Sequence, residues 1–148
     1  AEFNVYADPE AADEVFRSSA PLTMLGLNLT HQVRMGSAHG RVCATFGTPV
    51  GDAMAELLEF YTTFHVAEEE TEDGPVHDPC AVLAVTHPHL FDMESRPVHV
   101  EVDGTHTRGM TVVDERGPRA EGSHNCDVAY GADAEALIDL VMQAVRDA

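Results

Sequence analysis

The chain has 148 residues and 44% apolar content, enough for one domain with a sizeable core and too apolar for a disordered segment. Its 26 Asp and Glu stand against eight Arg and no Lys, for a net charge of −18, which repels nucleic acid and anionic membrane surfaces. No apolar run approaches the roughly 20 residues of a membrane-spanning helix. Self-repulsion of such a surface fades when salt near ~1 M shortens the Debye length to ~3 Å, so the charge reads as an adaptation to high ionic strength. An acidic protein from a GC-rich genome would show the same preference for Arg over Lys. Cys43, Cys80 and Cys126 are odd in number and form no C-x-x-C pair. They are expected to be buried, reduced thiols of a cytoplasmic protein. The first residue is Ala1 rather than Met, so the lack of a leader says little about location.

Taken in chain order, Glu2 and Asn4 would share one face of an N-terminal strand. Asp8-Pro9-Glu10 then opens a helix with an N-cap, a preorganised first position and a favourable charge. Val15 and Phe16 form its buried side before Ser18-Ser19. The apolar run Leu22–Leu29 predicts an inner strand covered on both faces, and Thr30-His31-Gln32-Val33 leads on into a loop. Residues Ser37 to Phe46 suit a short helix. From Asp52 a longer helix is predicted, with Met54, Leu57, Leu58, Tyr61 and Phe64 or His65 recurring on one face. Glu68-Glu69-Glu70-Thr71-Glu72-Asp73-Gly74-Pro75 reads as a solvated, mobile acidic loop. His77-Asp78-Pro79 starts a further helix through Val82, Leu83 and Val85 to Thr86, which His87-Pro88 ends. Val98–Val102 and Met110–Val113 are predicted as an antiparallel pair around Asp103-Gly104. Gly117-Pro118 breaks the second strand, Asn125–Tyr130 adds a short last one, and Ala132–Arg146 closes the chain as an amphipathic helix. The architecture is α/β, and residues 1–148 are expected to form a single domain.

Individually, the polar residues have ordinary explanations. Asp78 before Pro79 is first of all a helix N-cap, the role assigned to Asp8 before Pro9. His77 is one of nine histidines, and Glu2 and Asn4 sit near a chain end. No G-x-G-x-x-G, Walker or G-x-S-x-G pattern is present. His87 and His89 lack further ligands at metal spacing, and Pro88 between them prevents a helical metal face. The glycosylation-like Asn28-Leu29-Thr30 falls in a predicted buried strand.

Four segments in order change this picture: Glu2-Phe3-Asn4-Val5-Tyr6-Ala7-Asp8-Pro9-Glu10-Ala11-Ala12; Pro21-Leu22-Thr23-Met24-Leu25-Gly26-Leu27 with Thr30-His31-Gln32; His77-Asp78-Pro79-Cys80-Ala81-Val82; and Thr107-Arg108-Gly109-Met110-Thr111-Val112-Val113-Asp114. Together they resemble the C-terminal half of the inosine-uridine-preferring nucleoside hydrolase family over nearly the whole chain. The resemblance implies an open mixed sheet flanked by helices. It also implies calcium-dependent hydrolysis of the N-glycosidic bond of a ribonucleoside to ribose and free base. In that reading His77 protonates the departing base, Asp78 is a calcium ligand, and Glu2 and Asn4 hold ribose hydroxyls. Purine-specialised members replace the histidine and use aromatic contacts, often Trp. This chain keeps His77 and has no Trp, which favours a pyrimidine-preferring or non-specific type.

The family's D-x-D-x-G-x-D-D aspartate cluster has no counterpart here. Calcium takes six to eight oxygen ligands, so Asp78 alone cannot hold it, and Ca2+ is expected only when an N-terminal half supplies the rest. The first strands of the parallel sheet would be missing too, leaving an edge open to pairing. The chain is thus expected to be a C-terminal half, inactive alone, whose partners are a ribonucleoside and either a complementing N-terminal half or further copies of itself. No nucleic-acid or membrane partner is expected. The alternative is a stand-alone, non-catalytic domain for ribose binding or oligomerisation. A metal-independent His77–Asp78 acid–base pair ranks last, because sequence neighbours rarely face each other.

Overall fold

The computed structural model describes residues 1–69, 71–120 and 122–148, with side chains outside residues 64–69. It divides into two compact units, one of residues 1–27 and 93–130, the other of residues 28–92 and 131–148. Among the described residues helices combine with three small sheets, an α/β architecture as the sequence implies.

In the first unit the chain opens with a helix, α1 (Phe3–Ala7), where a strand was expected. The cause is local: Glu2 caps it, its carboxylate accepting from Val5 N at 3.1 Å, and Tyr6 N donates to Glu2 O at 2.9 Å. Helix α2 (Pro9–Phe16) starts as predicted, with Asp8 accepting from Ala11 N at 3.0 Å and Pro9 in the first turn. Phe16 packs inward, but Val15 is exposed, contrary to expectation. Strand β1 (Thr23–Met24) runs parallel to β7 (Cys126–Ala132), pairing Thr23 with Asp127 and Met24 with Val128, and β4 (Phe91–Arg96) lies on the other side of β7. The predicted antiparallel pair is present as β5 (Val98–Val100) and β6 (Thr111–Val113), with His99 opposite Val112. Val98, Cys126 and Val128 form the core of this unit, with Phe16, Leu22, Met24, Val113 and Tyr130 against it.

Only the front of the Leu22–Leu29 run is a strand. Its end, Leu27–Thr30, winds into a single helical turn, α3. A short, fully apolar run is compatible with either state, and burial decides between them: Leu29 and Thr30 are buried, and Leu29 O accepts from Gln32 N at 2.8 Å.

The second unit continues with β2 (Arg34–Gly36) and α4 (Ser37–Cys43), extended by a 3₁₀ turn at Ala44–Phe46, which together cover the predicted short helix. Helix α5 (Pro49–Glu69) begins before Asp52 and continues into the expected acidic loop. Glu70 of that loop lies outside the described residues, as do the Phe64 and His65 side chains. The end of the segment is a strand instead: β3 (Asp73–Pro75) is antiparallel to β2, Arg34 opposite Pro75 and Gly36 opposite Asp73. Gly36 is required there, since a Cβ would stand 2.2 Å from Glu72 O. Helices α6 (His77–Thr86) and α7 (Ala134–Asp147) complete the unit, α7 capped by Asp133 through Ala136 N at 3.1 Å.

Leu29, Val33, Met35, Cys43, Leu58, Cys80, Leu137 and Val145 are buried in the second unit. All three cysteines of the chain are free and buried. Leu57, Phe60, Val82 and Val85 are exposed, so the apolar stripes of α5 and α6 are wider than this unit covers. Among the described residues no helix is long and apolar enough to cross a membrane.

Candidate functional site

Glu2 and Asn4 lie in the first unit, one at the cap of α1 and the other inside it. The structure brings them together: Asn4 Nδ2 donates to Glu2 Oε1 at 3.1 Å. The helix that carries them is too short to hold itself in place, and the Thr107–Asp114 segment secures it. Gly109 adopts φ +82° against Tyr6, and its N–H donates to Glu101 O at 2.7 Å. Arg108 reaches Glu10 at 2.7 Å, and this hydrogen bond is the main cause holding the Glu10 carboxyl below its ordinary range. The backbone N–H groups of Asp103 and Gly104 do the same for Glu101. Asp114 N donates to Pro97 O at 2.9 Å, which keeps the end of β6 in the sheet.

His77 and Asp78 lie in the second unit, in the first turn of α6. Three bonds fix the backbone that presents them. Val76 N donates to Val33 O at 2.9 Å, the Tyr61 hydroxyl donates to Pro75 O at 2.7 Å, and Cys80 Sγ donates to Val76 O at 3.0 Å. The Cys80 thiol is fully buried, and burial pushes its pKa up. Asp78 is not the N-cap. That position belongs to Val76, which offers no side-chain cap, so Asp78 sits two residues further in with its exposed carboxylate in the first turn.

The His77 ring is exposed, and its Nδ1 lies 2.8 Å from the Oγ1 of Thr30, a residue 47 positions earlier. The rings of His31 and His77 lie 5.9 Å apart at 53°. An apolar groove of about 380 Å³ runs beside His77, lined by Leu57, Leu58, Phe60, Tyr61 and Pro75–Pro79. Thr30, His31 and Tyr61 were not assigned to a site from the sequence. Thr30 and His31 fall in a resembling segment that carried no role, and Tyr61 reads as one more core position of a helix.

Among the described residues no group of three or more His, Cys, Asp or Glu side chains could hold a metal ion. A lone exposed carboxylate falls far short of calcium's oxygen shell. Among the described residues the donors therefore do not fit calcium by themselves.

The profile of the inosine-uridine preferring nucleoside hydrolases matches residues 1–139. This chain belongs to that family, and it corresponds to the C-terminal half of the family's chains. It is 41% identical over 145 residues to the pyrimidine-specific ribonucleoside hydrolase RihA of Klebsiella pneumoniae, covering 97% of this chain and 46% of that one. The corresponding protein of Shewanella woodyi is 37% identical over 99% of this chain and 47% of its own. A purine-preferring ribonucleoside hydrolase from Gardnerella vaginalis superposes with a TM-score of 0.87 at 29% identity, over 99% of this chain and 46% of that structure. A plant nucleoside hydrolase gives 0.89 at 26% identity, over 100% and 48%. The chain thus spans about half the length of the relatives it matches.

Proposed function

We propose that this chain carries the leaving-group acid of a ribonucleoside hydrolase and works only when a second polypeptide portion supplies the metal-binding carboxylates. The observation that carries this reading is His77: an exposed imidazole at the edge of an apolar groove, its Nδ1 met by Thr30. As the glycosidic bond of a nucleoside breaks, the electron pair leaves with the base and the ribose acquires oxocarbenium character. A proton delivered to the base by His77 makes it a better leaving group, an effect worth ~10²–10⁴-fold for a placed acid, and imidazole can supply it near neutral pH. Water then takes the place of the base on the sugar. The apolar groove offers a planar base a surface to lie against.

In this proposal Glu2 and Asn4 bind ribose hydroxyls, through a carboxylate and an amide already oriented toward each other. Asp78 contributes one ligand to a calcium site whose remaining donors come from outside this chain, so alone the chain is inactive. That Nδ1 of His77 faces Thr30 counts against an acid–base pair made of His77 and Asp78. Retention of His77 and the absence of Trp favour pyrimidine nucleosides or broad specificity. Three buried free thiols suit the reducing cytoplasm. The exposed Leu57, Phe60, Val82 and Val85 favour a second reading, in which the chain is a non-catalytic domain that associates with copies of itself.

The test is complementation. Mixed or co-expressed with the N-terminal half of a RihA relative, the chain should release base from uridine or inosine, and chelator should abolish the release. His77→Ala should lower kcat by ~10²–10⁴-fold with little change in ribose binding. A reconstituted protein that binds calcium but leaves every nucleoside intact would overturn the enzyme reading. A monodisperse oligomer of the chain alone with no calcium affinity would favour the second reading.

A further inference from the structure

We propose that Thr30 is the positioning residue of His77, its hydroxyl accepting the Nδ1–H of the imidazole so that the proton the ring exchanges is the one on Nε2. Thr30 ends the α3 turn and is only 2% exposed, whereas the ring it meets stands at the surface. The Oγ1–Nδ1 separation of 2.8 Å is a full hydrogen bond. The two residues are also tied through the backbone. Val33 N donates to Thr30 O at 3.2 Å, and Val33 O in turn accepts from Val76 N at 2.9 Å. The turn that carries the hydroxyl thus also grips the residue before His77. Threonine is branched at Cβ, which restricts χ1 and limits how far Oγ1 can swing away.

Which ring nitrogen bears the proton is decided by the hydrogen bond that the other one makes. The inference rests on reading His77 as an acid: an imidazole that gives its proton from Nε2 must keep Nδ1–H before and after the transfer, and that N–H needs a fixed acceptor. A hydroxyl can accept there while directing its own proton elsewhere. The carboxylate of a catalytic triad holds its histidine in the same way, by fixing tautomer and orientation without touching the substrate. A neutral hydroxyl does so without a buried charge.

The chain itself provides the test, with no substrate and no complementing half. Long-range ¹H–¹⁵N correlation spectra at alkaline pH, where the rings are neutral, report the tautomer of each histidine, and His77→Asn assigns the relevant pair of signals. The expected result is a single Nδ1–H tautomer for His77. Thr30→Val, which removes the hydroxyl at nearly constant shape, should lose that single-tautomer signature, and Thr30→Ser should restore it. An Nε2–H tautomer in the unsubstituted chain overturns the proposal, and so do unchanged His77 signals in a folded Thr30→Val protein. The first of these outcomes needs no variant, so a valine protein that fails to fold still leaves the proposal open to refutation. Because none of these readouts involves hydrolysis, loss of the Thr30–His77 pairing and failure of the acid role are separately visible.

Discussion

Gly109 lies so close beneath Tyr6 that a Cβ built on it would stand 2.8 Å from the Tyr6 Cα. Its backbone is also in the left-handed region, at φ +82°. Space and conformation therefore both demand glycine, and the contact joins the segment after β5 to the helix that carries Glu2 and Asn4. Gly109→Ala is expected to cost about 1–3 kcal/mol in denaturant unfolding. Gly117→Ala is the control, because Gly117 has φ +60° but open space around it; it should cost distinctly less. Equal costs at the two positions would show that the close packing on Tyr6 contributes nothing.

Asp133 and Asp78 both stand near helix starts, but only Asp133 caps. Asp133→Ala should cost about 1 kcal/mol, lowering Tm by a few degrees. Asp78→Asn should change stability by less than about 0.5 kcal/mol, since its favourable interaction with the helix dipole is offset by relief of like-charge repulsion in a chain of net charge −18. A melting curve for each variant decides the matter, and a larger loss from Asp78→Asn than from Asp133→Ala would contradict the cap assignment.

Tyr130 is pushed up to about 12 from an ordinary value of 10, first by burial and then by its hydrogen bond to the Glu115 carboxylate, with Arg96 opposing. A raised phenol pKa means that the folded state keeps a proton which the unfolded chain releases. The stabilisation is therefore full below about pH 10 and is lost as pH rises toward about 12. Tyrosinate absorbance should show this late ionisation, Tyr130→Phe should remove it, and Glu115→Gln should move it to lower pH. Ionisation of Tyr130 at its ordinary value would contradict both its burial and the Glu115 contact.

The surface charge leads to a salt prediction. Tm should rise as salt goes from low to roughly 1 M, where the Debye length falls to ~3 Å. A flat salt dependence would end the halophile reading and leave the acidic composition without an adaptive role.

Several structural features were legible because their causes are local. The start of α2 follows from Asp8-Pro9, with Asp8 acting on the N–H three residues on. The β5–β6 pair follows from alternation around a turn, and family membership from ordered words of a few residues each. The same words single out Glu2, Asn4, His77 and Asp78 as candidates, but say nothing of their surroundings. The strand expected for Glu2 and Asn4 is a capped helix, because a carboxylate that reaches Val5 N satisfies a helical turn more directly than an unpaired strand would.

The sequence by itself therefore determined the class of fold, the family and the start of α2, which a cap sets within one turn. Tertiary structure decided what depends on residues far apart in the chain. Pairing with β2 turned Asp73–Pro75 from an acidic loop into a strand, and burial of Leu29 and Thr30 ended an apolar strand in a helical turn. The same turn set a hydroxyl against His77 across 47 positions. Propensity and capping act over three or four neighbouring residues, whereas a hydrogen bond between distant elements exists only once packing has brought both backbones into place.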